Sequence, residues 1–379
     1  MKIVHVIGDG RLRGAGLQLS YLAAALSREF EVEVVAPTGA PIFSRLAGEP
    51  LLTTALPISG RTGFCFSDIR RFEAYFLRTK PDIVHTHGSF AARVGAALAG
   101  VPHLISTRHG FPDGRARLRR LRAKLYNAFT ALTVTTAYVG GRHLFAEGIP
   151  RERVITIPSG VPKVKREDET TCAALREALG IPRDAIVIGS FSEEKKAKGG
   201  RSSFPKGRAD RADGQDVLLR AFARVAAKCP NTFLLLVGVG EGEGELRRLS
   251  SLLGIGEKVA ILPRSADAAL CAGLLTLHVD PSRGSEHSAL TACSLMSIGI
   301  PTVATDTVGM REVIYEGDNG LLFPADNSYA LSEVILTLLS SAGRMEALSR
   351  GATARYASDF SVPRMERSYA SLYRRIVAS

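Results

Sequence analysis

A carboxylate that follows a strand and opens a helix is placed to grip a hydroxyl, and Glu286 stands in that position. The segment LTLHVDPSRGSEHSALTACSLMSIGIP reads as strand, Pro-Ser turn, carboxylate and helix. Glu286 then sits at the mouth of a sheet, and the backbone N–H groups of Ser288, Ala289 and Leu290 point out of the helix start, where free donors attract anions. A carboxylate beside such donors suits a hydroxyl next to a phosphate. An acid at a helix start is also favourable simply as a cap, and both readings stay open here. ATDTVGMREVIYEGDNGLLF repeats the arrangement, with Gly309 in a turn and Glu312 at the next helix start. In the first half, STRHG puts His109 just beyond a strand, where a lone histidine is either structural or catalytic. The loop Gly8-Asp9-Gly10-Arg11-Leu12-Arg13-Gly14-Ala15-Gly16 has looser spacing than a dinucleotide fingerprint. The strand VEVVAPTG also ends without the acid that would bind a ribose, which argues against an oxidoreductase and leaves a tight turn or another anion-binding loop.

The elements that must position these residues alternate between strand and helix. KIVHVIG, VEVVAP, DIVHTHG, HLISTRHG, TALTVTTA and RVITIPSG read as strands, with LQLSYLAAALSR and DIRRFEAYFLRT as helices among them. PKVKREDETT loses its apolar character and reads as a linker. A second alternating series follows: AIVIGSF, TFLLLVGVG, KVAILP, LTLHVDPS, TVATDT and NGLLFP as strands, with DVLLRAFARVAAKC, EGELRRLSSLLG and SALTACSLMSIG as helices. Such alternation predicts parallel sheets covered on both faces, hence two consecutive Rossmann-like domains. VPRMERSYASLYRRIVAS reads as a closing amphipathic helix. Residues 193–215 break the rhythm; they are polar, rich in Gly, Lys and Arg, and predict a loop that cannot bury enough surface to offset its ordering entropy.

The 379 residues carry 49 Lys and Arg against 37 Asp and Glu, a net charge of +12, and 45% hydrophobic residues. That is enough chain for two ordinary cores, and it excludes disordered, collagen-like and disulfide-stapled classes. No apolar run approaches the roughly 20 residues a spanning helix needs, and MKIVHVIGDG reads as a buried first strand rather than a signal peptide. The five cysteines are scattered with no C-x-x-C, a pattern of a reducing cytoplasm and not of a metal cluster. Residues 1–150 hold 19 basic and 10 acidic side chains, so most of the excess lies there. An anionic partner follows: a phosphorylated substrate or a membrane surface rather than nucleic acid, for which the chain has no zinc-finger spacing, RNA-binding signature or Trp.

Taken in order, these segments resemble the retaining glycosyltransferases of family 4, with the GT-B fold: α/β, two Rossmann-like domains facing across a cleft. The likeness runs from KIVHVIG to SYASLYRRI and is strongest over residues 278–323, where PS…E…G-I-P-T-V-A-T-D…G-x-x-E-V-I…G-x-N-G-L-L-F carries it, Asp318 filling the variable position. RGAG, HTHG, TRHG, RVITIPSGV and LLLVGVGEGEGELRRL fall in the expected places. The resemblance implies an acceptor domain over 1–165, a nucleotide-sugar domain over 172–355 with the 193–215 insertion, and a closing helix over 356–379 that returns to the first domain. It implies that Glu286 contacts donor-sugar hydroxyls as the first acid of an E-x7-E motif. Backbone N–H groups of Ser288, Ala289 and Leu290 would hold the diphosphate. His109 would lie against the transferred sugar, and Gly14 would approach donor phosphate and acceptor. Gly309 and Glu312 are further donor-side positions. A nucleotide-sugar donor, a glycan or lipid-linked acceptor, no cofactor and no metal complete the expectation, with bacterial surface polysaccharide, lipopolysaccharide or glycolipid assembly at the inner face of the membrane as the setting.

Three positions depart from the family pattern. The second acid of E-x7-E falls on Ser294, which lacks the bidentate contact of a carboxylate. The Arg expected after AIVIG falls on Ser190, and the Lys-Gly expected before the next helix falls on Asp213-Gly214. Lys198 and Lys206, each followed by Gly in the 193–215 loop, either replace the missing cations or belong to a solvated loop without a role. RARLRRLRAK, with Arg115, Arg117, Arg119, Arg120, Arg122 and Lys124, is either an acceptor or membrane contact or a solvated helix face. Weakened phosphate binding leaves a non-catalytic GT-B partner as the alternative to a transferase; a sugar-nucleotide epimerase, which shares the fold, is the third reading.

Overall fold

The computed structural model describes residues 1–12, 14–60, 64–109, 130–192, 214–240, 242–263, 265–283 and 286–378, with the backbone alone at 286 and 287. The chain divides into two compact units, Met1–Pro162 with Asp359–Ser379, and Lys163–Ser358.

The first unit is built on seven parallel strands in the order β3-β2-β1-β4-β5-β6-β7. They are β1 (Lys2–Ile7), β2 (Glu31–Pro37), β3 (Leu52–Leu56), β4 (Ile83–His87), β5 (His103–Arg108), β6 (Leu132–Thr135) and β7 (Val154–Thr156). The central strands are apolar nearly throughout because helices cover both sheet faces. Ile3 and Ile7 of β1 join Leu19, Leu22 and Leu26 of the helix Gly14–Leu26 on one face, together with Met365, Tyr369 and Tyr373 of the last helix, Val362–Ala378. Val4 and Val6 face the other way, toward Phe72 and Phe76 of the helix Phe66–Thr79. The last helix therefore belongs to the first unit although it ends the chain. Its arrival is marked by Val161 N–H, which donates to the Phe360 carbonyl at 2.8 Å.

On that second face the helices Phe66–Thr79 and Phe90–Leu98 press together at Gly95. A Cβ there would lie 2.7 Å from Phe72 Cβ and 2.9 Å from the Ile69 carbonyl oxygen. Gly95→Val is expected to destabilise the first unit by about 1–3 kcal/mol through overpacking. Gly343, helical with nothing within 4 Å of a would-be Cβ, is the control: Gly343→Ala is expected to be neutral or to stabilise by up to about 1 kcal/mol. Urea midpoints of the two variants and the parent check both signs.

The second unit has six parallel strands in the order β10-β9-β8-β11-β12-β13: β8 (Ile186–Phe191), β9 (Thr232–Val237), β10 (Val259–Leu262), β11 (Leu277–Asp280), β12 (Thr302–Thr305) and β13 (Gly320–Phe323). The segment read as a linker is tied to this unit. Val164 N–H donates to Ser297 Oγ at 2.9 Å, and Asp168 caps the helix Glu169–Ala178 by accepting from Thr171 N–H at 2.8 Å. The loop expected through residue 215 also ends earlier than its composition suggests. Gly214, with φ 84°, turns the chain, and Gln215 is already the first residue of the helix Gln215–Lys228. Lys198, Lys206 and Asp213 lie outside the described residues, as do all six basic positions of the 115–124 segment.

Each sheet has one place where strand order reverses: β1/β4 in the first unit and β8/β11 in the second. Beyond the carboxyl ends of such strands lies the crevice where open α/β sheets bind ligands.

Candidate active site

At the β1/β4 point of the first unit, the register pairs His5 with His85 and Ile7 with His87. Alternation along β4 puts His85 and His87 on one face, with His5 beside them from β1. All three are buried. His5 Nδ1 lies 3.2 Å from His87 Nε2, and His87 Nδ1 lies 3.1 Å from His109 Nε2. His109, expected just beyond a strand, follows β5 and ends this chain of imidazoles at the sheet's carboxyl edge. The His85 and His87 rings are tilted by 30° to one another with centroids 4.5 Å apart. The His85 nitrogens go elsewhere, Nδ1 to the Tyr373 hydroxyl at 2.6 Å and Nε2 to Thr107 Oγ1 at 2.7 Å.

Burial disfavours the charged imidazole. It lowers His5 from 6.5 to about 3 and drives His85 and His87 well below 6.5, neighbouring imidazoles adding to the effect. His5, His85 and His87 each offer a ring nitrogen within 4.8 Å of the others. A metal there would compete with hydrogen bonds that His85 and His87 already make through both nitrogens, so the donor set fits a hydrogen-bonded core better than a metal centre.

The glycine loop comes off β1. The helix Gly14–Leu26 opens at Gly14, whose φ is 30°, and Gly16 packs so tightly under the loop that a Cβ would lie 1.8 Å from the Arg11 carbonyl oxygen. The loop backbone is thus folded directly onto the first turn of its helix.

At the β8/β11 point of the second unit, the helix Glu286–Met296 follows β11. Asp280 at the end of β11 accepts from Ser282 N–H at 2.9 Å and holds the turn, and the buried Ser282 and Ser288 hydroxyls lie 3.0 Å apart. Glu286 and Ser288 stand in the first helical turn, Ala289 closes it and Leu290 opens the second. Ser294 Oγ donates to the Leu290 carbonyl at 2.9 Å, so its proton is committed to its own helix. Ser190 is fully buried and accepts from Gln215 Nε2 at 3.0 Å; Ser192 Oγ is 2.8 Å from the same nitrogen. Gln215 had not been singled out from the sequence. Its position right after the left-handed Gly214 is the one local signal that it ties a helix start to the end of β8. A Cβ at Gly214 would meet the Pro281 carbonyl oxygen at 2.2 Å, which draws the β11 turn against the same helix start.

Gly309 precedes the short helix Met310–Val313 with φ −68° and nothing within 4 Å of a would-be Cβ, so backbone geometry does not require a glycine there. Glu312 lies in that helix, and its carbonyl accepts from Arg355 Nη2 at 3.2 Å. Asn319, fully buried, pins the following loop: its Nδ2 donates to the Val313 carbonyl at 2.9 Å and its Oδ1 accepts from Tyr315 N–H at 2.6 Å. All five cysteines are free. Among the described residues, no helix is long and apolar enough to cross a membrane.

Two parallel-sheet Rossmann-like units in succession, each with a polar cluster at its switch point, define the GT-B class of glycosyltransferases. Residues 12–163 match the family described as Glycosyltransferase Family 4 and residues 175–355 the family described as Glycosyl transferases group 1. The chain belongs to the group 1 glycosyltransferases of family 4 type. It is 27% identical over 319 residues to the D-inositol 3-phosphate glycosyltransferase of Xylanimonas cellulosilytica, covering 76% of this chain and 70% of that protein. It is 31% identical over 190 residues to the phosphatidyl-myo-inositol mannosyltransferase of Mycobacterium leprae, covering 49% of this chain and 44% of that protein, less than half of that relative's length. Among solved structures, Anabaena HepE in complex with UDP and glucose superposes with a TM-score of 0.75 at 20% identity, over 98% of this chain and 99% of that one; at that identity the likeness speaks to the fold.

Proposed function

We propose that this chain is a retaining, metal-independent transferase that moves a sugar from a nucleoside diphosphate to a hydroxyl of a glycan or lipid-linked acceptor, in the assembly of a bacterial surface polysaccharide or glycolipid. The observation that carries the proposal is the β11 turn. Asp280, Ser282 and Ser288 fix the start of a helix, and this sets the first-turn backbone of Glu286 and Ser288 at the carboxyl end of β11. Preorganised N–H dipoles stabilise charge as it develops on a leaving diphosphate. The bond from the anomeric carbon to the phosphate oxygen breaks, the acceptor oxygen bonds to that carbon on the same face, and the acceptor proton leaves with the diphosphate.

The named activities of the relatives support this reading: both act on inositol-containing acceptors, and HepE was crystallised with UDP and glucose. A polyol or lipid-linked acceptor accords with the basic first half of the chain, whose cationic 115–124 segment suits an anionic membrane surface.

Calorimetry of the purified chain in EDTA with UDP, GDP, ADP, CMP and dTDP, and with their common sugar conjugates, tests the donor site. Saturable binding of one nucleotide series is expected. Absence of binding by folded protein would favour a non-catalytic GT-B partner, a reading to which Ser190 and Ser294 lend weight because both hydroxyls are engaged within the protein. Donor converted to a new sugar nucleotide without acceptor would instead identify an epimerase.

A further inference from the structure

The helix Phe66–Thr79 buries Ile69, Phe72, Tyr75 and Phe76 against the sheet of the first unit. An amphipathic helix of this kind ordinarily turns a polar face to water. Here the outer face carries large apolar side chains as well: Phe66 is 65% exposed and Leu77 53%. They stand eleven residues apart, about three turns, so at roughly 100° per residue their directions differ by about 20° and they lie in one line along the helix. Phe64, just ahead of the helix, is 68% exposed, with its ring centroid 6.3 Å from that of the buried Phe90.

Single exposed apolar side chains are ordinary. Alignment and charge set these apart. Arg70, Arg71 and Arg78 are exposed on the same helix, and the exposed Lys80 follows in a left-handed turn. Both acids of the helix are withdrawn from water. Asp68 is buried, accepting from the Ser59 N–H and hydroxyl and from Arg71, and Glu73 is largely buried and paired with Arg70 at 2.8 Å. The exposed charges of this helix are therefore all positive. Two of its cations lie along aromatic rings, the Arg70 guanidinium 5.7 Å from the Phe66 ring centre and that of Arg78 5.8 Å from Tyr75. An arginine so placed covers apolar surface with its stem and keeps its head group free for water or an anion.

We infer that the outer face of the helix Phe66–Thr79, with Phe64 ahead of it, is where the first unit docks on an anionic lipid bilayer. An apolar line beside cations, with no exposed acid, matches a surface that is acidic at the head groups and apolar just beneath them. Phe64, Phe66 and Leu77 enter the acyl boundary, while Arg70, Arg71, Arg78 and Lys80 meet the phosphates. A second copy of this face fits less well, because a two-fold contact would set the same arginines against one another. Docking deepens the transfer reading by giving a lipid-linked acceptor its surface, but it requires neither donor nor acceptor.

The chain has no Trp, so Phe66→Trp supplies a single fluorescent reporter on the face. Leu252→Trp, at a 73% exposed position of the second unit, supplies one away from it. The probes are vesicles of phosphatidylcholine, alone and mixed with phosphatidylglycerol. On mixed vesicles at low salt, Phe66→Trp emission is expected to shift to the blue and to be quenched by brominated lipid, while Leu252→Trp emission stays that of an indole in water. Salt is expected to weaken the binding. In cosedimentation of the full chain, the triple variant Phe64→Ser, Phe66→Ser, Leu77→Ser is expected to lower partitioning by about tenfold or more, and Arg70→Gln with Arg78→Gln by about fivefold per cation. The substituted positions are exposed, and an unchanged urea midpoint shows that a variant is folded. Failure of the parent to bind mixed vesicles would overturn docking, as would bound protein whose Phe66→Trp emission is that of an indole in water. A folded triple variant that binds like the parent would overturn this face, since cations elsewhere, the 115–124 segment included, would then suffice. Phe66→Trp emission that shifts with protein concentration in the absence of lipid would overturn it in favour of a second copy. No nucleotide enters these measurements, so failure of docking and failure of the transfer reading are told apart.

Discussion

Acidification from pH 7 to about 4.5 is expected to unfold the first unit while the second is still folded. The cause is the histidine cluster. An imidazole exposed on unfolding titrates near 6.5, whereas burial lowers folded His5 to about 3 and His85 and His87 well below 6.5. Below pH 6.5 the unfolded chain therefore binds protons that the folded chain does not, and stability must fall as pH falls. The contribution is complete above 6.5 and is lost on the way down toward the folded values. A group costs about 1.4 kcal/mol per pH unit between its unfolded and folded values, so His5 alone removes roughly 3 kcal/mol over two units, and His85 and His87 add to that loss in the same direction, against a domain stability of about 5–15 kcal/mol. Among the described side chains the second unit has one such group, His278, buried against Thr302 and lowered to about 4, against three in the first unit, so over the same interval it loses less. Hydrogen exchange of peptides from β1, β4 and β5 against peptides from β8, β9 and β12, followed from pH 7 to 4.5, checks the order. Equal loss of protection in both units would mean that the histidines are hydrated in the folded state. His85→Phe, matched in shape but without a titrating ring, is expected to make the pH dependence shallower by about one proton.

How much of this was legible before the structure depends on whether the signal was local. The central strands were readable because burial on both faces makes them continuous apolar runs, as in KIVHVI and TFLLLV. The strand Leu52–Leu56 was not, because it lies at the sheet edge next to β2 with mostly exposed side chains, so its pattern is not that of a buried strand. The helix at Glu286 was readable from its strand-turn-acid order, and Gly14 from its loop. The histidine cluster was not. HTH places two imidazoles on one face of β4, but their meeting with His5 depends on β1 pairing with β4 across 80 residues, which no local pattern contains. Gln215 escaped for a related reason: the polar run through residue 213 makes its neighbourhood read as loop, and only tertiary contact with Ser190 and Ser192 reveals a buried helix start. Ser294 was recognised as a departure from the family pattern, but its bond to Leu290 is visible only in three dimensions, and that bond determines what its hydroxyl can still offer.

Replacing Glu286 by Gln is expected to lower kcat/KM for transfer by about 10²- to 10⁴-fold. The charged side chain accepts hydrogen bonds more strongly than its amide. Bonds to a charged group contribute about 1.5–3 kcal/mol each, and if, as proposed, the carboxylate grips two donor-sugar hydroxyls, the two amount to roughly 3–6 kcal/mol at 1.36 kcal/mol per tenfold in rate. A capping role leads elsewhere: loss of a cap costs about 1 kcal/mol of stability and leaves kcat/KM of the folded enzyme alone. The two roles therefore separate on a plot of melting temperature against kcat/KM. Glu286→Gln should fall along the rate axis with little change in melting temperature if the acid grips the donor, and along the temperature axis if it only caps. Ser294→Ala supplies the scale of the smallest effect. Its proton already goes to the Leu290 carbonyl, so it offers a ligand no donated bond, and a change of less than about threefold is expected, within one weak hydrogen bond. A larger loss at Ser294 than at Glu286 would reverse the assignment and put the grip on the serine, about two helical turns further along.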